Sequence, residues 1–174
     1  FGAWGKTGIN CFVLITGYFM CKSNITLTKF LKLFSQVLCY GIVLFCILCL
    51  SGYTSFTLKR LVIACFPIYA VKQDFTSAFL LVYLFIPFLN VFINSINKKM
   101  HLYIIGLMLL IYTVMPMMLF PVSYNYVSWF IALYLISSYI RFYGLPYNDS
   151  AKKWGLITLT IYLVSILSIV SPLI

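Results

Sequence analysis

Six apolar runs, at 5–21, 33–51, 75–95, 102–120, 127–143 and 155–174, follow one another with only short polar gaps between them. A helix crossing the hydrocarbon of a bilayer needs about 20 largely apolar residues. Backbone N–H and C=O groups find no water there, so a run of this length must satisfy them internally as a helix. The predicted fold class is all-α: a polytopic transmembrane helix bundle of about six spanning helices, with short interfacial or re-entrant segments. Leu61 to Val71, with Pro67 inside it, is too short to span and reads as a re-entrant or interfacial stretch. Thr26 to Phe34 sets Lys29 and Lys32 among Phe30, Leu31, Leu33 and Phe34, the pattern of a short helix lying in the headgroups before the second span. Neither a repeat of transporter type nor a pair of matching interrupted helices is visible. Residues 1–174 read as one membrane domain, or part of one.

Composition agrees. Hydrophobic residues make up 64% and charged residues 8%, with a mean hydropathy of +1.08. Glutamate is absent, and Asp74 and Asp149 are the only acids. A soluble domain of this length needs far more charge to cover its surface. The net charge of +10 would suggest nucleic acid in a soluble chain; here the cations sit between apolar runs and read as orientation signals and anchors, so no nucleic-acid partner is expected. One side collects Lys22, Lys29, Lys32, Lys98, Lys99, Arg141, Lys152 and Lys153; the other holds Lys6, Lys59, Arg60 and Lys72. The richer side is expected to be cytoplasmic, which sends the first helix inward and calls for an odd number of helices upstream of it. The chain starts at Phe1 without an initiator Met or a cleavable leader. It reads as a fragment.

Few motifs carry chemistry. Gly5-Lys6-Thr7 has the tail of a phosphate-binding P-loop, but that loop needs a further glycine five residues earlier, and an apolar run follows Thr7; a polar cap on a membrane helix is the better reading. Cysteines 11, 21, 39, 46, 49 and 65 lie in or beside apolar runs and are expected to be buried thiols acting as small hydrophobes. Cys46 and Cys49 have redox or zinc spacing without a second pair or a histidine, so no metal site is predicted. His101, the lone histidine, follows Lys98 and Lys99 and is expected at the interfacial surface. No carboxylate pair and no Ser-His-Asp or Cys-His set can be assembled, so no catalytic residue is assigned.

Polar stripes are more informative, because polar side chains at membrane depth are costly and mark a bundle interior or a cavity wall. Thr76, Tyr83, Pro87, Asn90 and Asn94 share one face of the third run, and Tyr134, Ser138 and Arg141 one face of the fifth. Lys6, Asn10 and Gly17 share a face of the first, where Gly17 admits close approach of a helix or ligand. Each polar residue serves equally as interhelical glue, and Arg141 can either snorkel to lipid phosphates or clamp a phosphorylated ligand.

Four of these segments, in order, resemble a known family. "GINCFVLITGYFM" (8–20), through Gly8, Ile9, Phe12 and Thr16-Gly17-Tyr18, resembles the second-helix signature of the acyltransferase-3 family, bacterial membrane proteins that O-acylate sugars and surface polysaccharides. "LTKFLKLF" (27–34) is similar to its basic cytoplasmic segment. "AFLLVYLFIPFLNVFIN" (78–94) resembles its aromatic helix ending in Pro-x-Leu-Asn, at Pro87, Leu89 and Asn90. "WFIALYLISSYIRFYG" (129–144) resembles a later helix, through Tyr134, Leu135, Tyr139, Ile140 and Arg141. Gln73-Asp74-Phe75 departs from the aromatic pair usual before the third segment, and the family's first helix, which carries its proposed catalytic histidine, has no counterpart here.

The resemblance implies transfer of an acyl group, usually acetyl, from cytoplasmic acyl-CoA to a sugar hydroxyl, in the bacterial plasma membrane and with no resident cofactor. The expected substrate-binding residues are Asn10, Gly17, Tyr18, Tyr83, Asn90, Tyr134 and Arg141, with Arg141 and the 29–32 lysines facing the CoA. Such a fragment would be inactive without the missing helix. Two other readings stay open: a transporter or flippase for lipid-linked sugars, and a bundle that scaffolds other membrane proteins.

Overall fold

The computed structural model describes residues 2–65, 75–117, 125–144, 153 and 155–160, and among these every regular element is helical. The chain divides into two compact units, Phe1–Tyr143 and Gly144–Ile174. The first unit holds α1 (Gly2–Met20), α2 (Leu27–Leu50), α3 (Leu58–Cys65), α4 (Phe75–Ser95), α5 (Lys98–Leu109), which continues through a π-helical turn at Leu110–Val114 into the short α6 (Met115–Met117), and α7 (Tyr126–Tyr143). In the second unit, residues 155–160 are helical and exposed; the rest of the run expected at 155–174 lies outside the described residues. Among the described residues two helices, α2 and α4, are long and apolar enough to cross a membrane.

Local chemistry explains the boundaries. Asn125 opens α7 by accepting a hydrogen bond from the Val127 N–H on its side-chain oxygen, at 3.1 Å. Gly52, at φ 73°, lets the chain turn back after α2, so that the Tyr53 N–H donates to the Leu48 carbonyl at 3.1 Å. Gly144, at φ 71°, follows the last residue of α7. The expected separate helix at 26–34 does not form. Thr26 takes the extended conformation of a cap, and helix then runs unbroken from Leu27, because no Gly or Pro lies between Leu27 and Tyr40 to end it after Phe34 and Lys29 folds its ammonium back to the Asn24 carbonyl at 3.0 Å. Of the re-entrant stretch expected at 61–71, residues up to Cys65 are helical, and 66–71 lie outside the described residues.

Ring contacts and side-chain bonds fix helix directions. Phe12, midway along α1, meets Phe75 and Phe79 at the start of α4, and Asn90 reaches Met20 near their ends. Asn10 meets Trp129 and Tyr18 meets Arg141. So α1, α4 and α7 run parallel. His101 packs near the end of α7 while Tyr112 packs near its start, so α5 runs antiparallel. This alternation gathers Lys22, Lys98 and Arg141 at one end of the bundle and Lys6 at the other, as the charge asymmetry predicts.

α7 is the axis, packed by α1, α4 and α5. Two apolar clusters surround it: Val13, Ala78, Val82, Phe130 and Leu133 toward the Lys6 end, and Cys21, Tyr83, Ile86, Ile93, Ile105, Tyr134 and Leu135 toward the basic end. Among the cysteines whose side chains are described, Cys21 is buried, Cys11, Cys39 and Cys46 are exposed and Cys49 is half-buried. That corrects the expectation of uniformly buried thiols. Three of these cysteines lie on α2, of which no residue is buried.

Candidate functional site

The expected binding residues separate into two ends joined by a polar knot. The knot is built on Asn90. Its side-chain oxygen accepts from the Tyr134 hydroxyl at 2.5 Å, and its amide donates to the carbonyls of Met20 at 3.1 Å and Ser23 at 3.4 Å. One residue of α4 thus ties α7 to the turn after α1. Tyr83 lies one level deeper, buried against the Phe30 and Phe79 rings. Within this group the polar atoms of Asn90 and Tyr134 serve helix association, the glue reading of the stripe.

Gly17 explains how α1 and α7 come so close. A Cβ there would overlap the Ser137 hydroxyl and crowd the Tyr134 ring and backbone. The neighbour that Gly17 admits is therefore a helix. Ser137 and Ser138, both buried, satisfy their hydroxyls on the carbonyls of Tyr134 and Leu135, each at 2.9 Å.

At the basic end, Arg141 lies over the Tyr18 ring, 4.7 Å from its centroid, and donates to the Tyr18 hydroxyl at 3.0 Å. Lys22 sits over Phe142 at 5.5 Å and Lys98 over Tyr143 at 5.4 Å. Cation–π contacts of this kind hold exposed cations in place without neutralising them. Arg141 stays exposed, and no carboxylate among the described residues offsets it.

His101 is a correction. Expected at the surface, it is fully buried. Its Nε2 donates to the Leu135 carbonyl at 3.1 Å, its ring stands edge-on to Tyr139 and Tyr143, and Nδ1 has no hydrogen-bond partner among the described residues. Burial pushes the imidazole below its ordinary value, against a smaller opposing pull from the Leu135 carbonyl. A lone histidine beside two lysines gives no local sign of this, because its partners come from α7, 34 residues on.

At the other end, Trp129 donates its indole N–H to the Asn10 side-chain oxygen at 3.0 Å, and Tyr112 stands edge-on to Trp129 with centroids 6.1 Å apart. With Lys6, Ile9 and Tyr126 these residues line a cavity of about 140 Å³. Sequence reasoning placed Lys6 and Asn10 on one face but missed Trp129, Tyr112 and Tyr126 as their companions; the signal was an aromatic belt at run ends, where Tyr and Trp place an apolar body and a polar tip. Between the two ends, on the flank of α1 and α7, runs an open apolar groove of about 380 Å³ lined by Leu14, Ile15, Tyr18, Phe19, Ser137 and Ile140.

No group of three or more His, Cys, Asp or Glu among the described residues is placed to hold a metal ion. No protein-family model, curated protein or solved structure matches the chain.

Proposed function

We propose that the chain is part of an integral-membrane acyltransferase, which takes an acyl group from acyl-CoA at its basic end and delivers it to a hydroxyl of a cell-surface sugar or polysaccharide precursor. The observation that carries this reading is the exposed, aromatic-braced Arg141–Tyr18 pair at the end where Lys22 and Lys98 also gather. A guanidinium fork held in this way suits phosphate oxygens. The apolar surfaces of α2 and α4, with Leu44, Ile47, Phe88 and Val91 all exposed, suit hydrocarbon tails and are unsuited to water. Six spanning helices and a bacterial plasma-membrane location belong to the same proposal.

Chemically, the sugar hydroxyl attacks the thioester carbonyl. A base takes the hydroxyl proton, donors hold the developing oxyanion, and CoA leaves as the thiol. The resemblance puts that base in the family's first helix; among the described residues no side chain at either polar end fills the role. The Lys6–Asn10–Trp129 cavity suits the acceptor, offering an aromatic wall with fixed hydrogen-bonding groups.

The test uses full-length protein in liposomes with acyl-labelled CoA and a surface-glycan extract. Label moves to the glycan, and Arg141→Ala raises the KM for acyl-CoA by about five- to tenfold. Glycan crossing the bilayer without acquiring label would establish the transport reading instead.

A further inference from the structure

The cavity at the Lys6 end has a polarity of its own. Resting on the acceptor reading above, we propose that it seats a single anionic sugar ring, one carrying a carboxylate or a phosphate, with Lys6 reading the charge. Three elements build it: Lys6, Ile9 and Asn10 come from α1, Tyr112 from the π-helical turn, and Tyr126 and Trp129 from α7. Its volume of about 140 Å³ matches one six-membered ring, since an enclosed space of about 150 Å³ holds one benzene. The rings form a corner, with Tyr112 edge-on to Trp129 at 68°. An aromatic surface of this kind suits the C–H face of a pyranose and leaves its hydroxyls to polar neighbours.

Tyr112 holds its place through a departure from α-helical geometry. The Met115 N–H donates five residues back, to the Leu110 carbonyl, in the one π turn among the described residues. Such turns are rare and recur at functional sites. Hydrogen-bonding polarity then selects an anion. The Trp129 indole can only donate, so Asn10 turns its oxygen to it, at 3.0 Å. What Asn10 keeps to offer a ligand is its amide N–H pair. Lys6 is exposed and brings donors only, and among the described residues no carboxylate lines the cavity. The tyrosine hydroxyls serve either role. A wall this rich in donors takes a ligand rich in acceptors, and a carboxylate or phosphate supplies them with a charge opposite to that of Lys6.

The test measures Kd for methyl glucuronide, methyl glucoside 6-phosphate and the neutral methyl glucoside on full-length protein in phosphatidylcholine nanodiscs, corrected with empty discs. At least one anionic sugar binds about five- to tenfold tighter than the neutral one, and the preference shrinks as salt rises. Lys6→Gln brings that ratio to one while the neutral glucoside binds as before, and Lys6→Arg keeps the preference. Arg60→Gln, on α3 and outside the cavity lining, leaves the ratio as it was. Equal binding of all three sugars, or a preference that survives Lys6→Gln, would overturn the charge inference and leave the acceptor reading standing. Failure of every sugar to bind would overturn both. Glycerophosphoglycerol, a lipid headgroup without its tails, binding as tightly as the anionic sugars would make the occupant a lipid and sink the sugar.

Discussion

α2 and α7 are both long and mostly apolar, yet they live in different surroundings. None of α2's residues is buried, and Leu44, Ile47 and Leu50 stand open. α7 buries Phe130, Ala132, Leu133, Tyr134, Leu135, Ser137 and Ser138. Composition does not separate them; small and polar residues do. α7 carries two buried serines that bond their own backbone and a tyrosine that reaches Asn90. α2 spends its polar residues, such as Ser35 and Gln36, on exposed positions. Where helices meet in a medium as apolar as they are, close packing and buried hydrogen bonds supply the association, and α7 has both.

The sharpest way to break this contrast is at Gly17. Gly17→Ala should cost about 1–3 kcal/mol by overpacking the α1–α7 crossing, with part of the loss restored by Ser137→Gly, which removes the nearest obstruction. Gly8→Ala, on the same helix but with open space around it, should change stability by less than about 0.5 kcal/mol. Unfolding in mixed detergent–denaturant measures both, and equal effects would mean the crossing is not tight. Next in size is the knot. Asn90→Ala takes the partner from the Tyr134 hydroxyl and a donor from each of the Met20 and Ser23 carbonyls and should cost about 1–2 kcal/mol, whereas Gln36→Ala on α2 should be close to neutral; a neutral Asn90→Ala would dissolve the distinction between the helices.

The smallest expected effect is on pH. The imidazole of His101 titrates below its ordinary value in the folded protein. Its neutral form is accommodated at full stability above about pH 6.5, and stability falls as the pH drops from there through the lowered value, where the unfolded chain binds the proton first. The groups facing the ring are Tyr139 and Tyr143 of α7 and the Leu135 carbonyl; the nearby cation on its own helix, Lys98, lies over the Tyr143 ring. A melting-temperature series from pH 7.5 to 5 should show the decline, and His101→Gln should flatten it.

How much of this was legible in the chain differs by element. The starts and ends of α1, α4 and α7 fall within a few residues of the expected runs, since Gly, Asn and lysine clusters punctuate them locally. The stripe at Tyr83 and Asn90 was legible as a buried face. What was not legible depends on partners far away in sequence. His101 reads as a surface residue from its neighbours and becomes core only when α7 closes over it. The basic stretch after Thr26 reads as a helix of its own, and only the lack of a breaking residue before Tyr40 argued for continuity. Asn10 was found without Trp129, because a hydrogen bond across 119 residues has no local signature.

Pro87 sits seven residues after Leu80 in the middle of α4 and donates no backbone N–H, so the Tyr83 carbonyl loses its usual partner and the helix gains a pivot there. Everything C-terminal to that pivot is fastened through Asn90 to the two carbonyls of the α1–α2 corner. A swing of α4's lower half would therefore drag the corner with it, carrying Lys22 and the neighbouring Tyr18 as a lever carries its load.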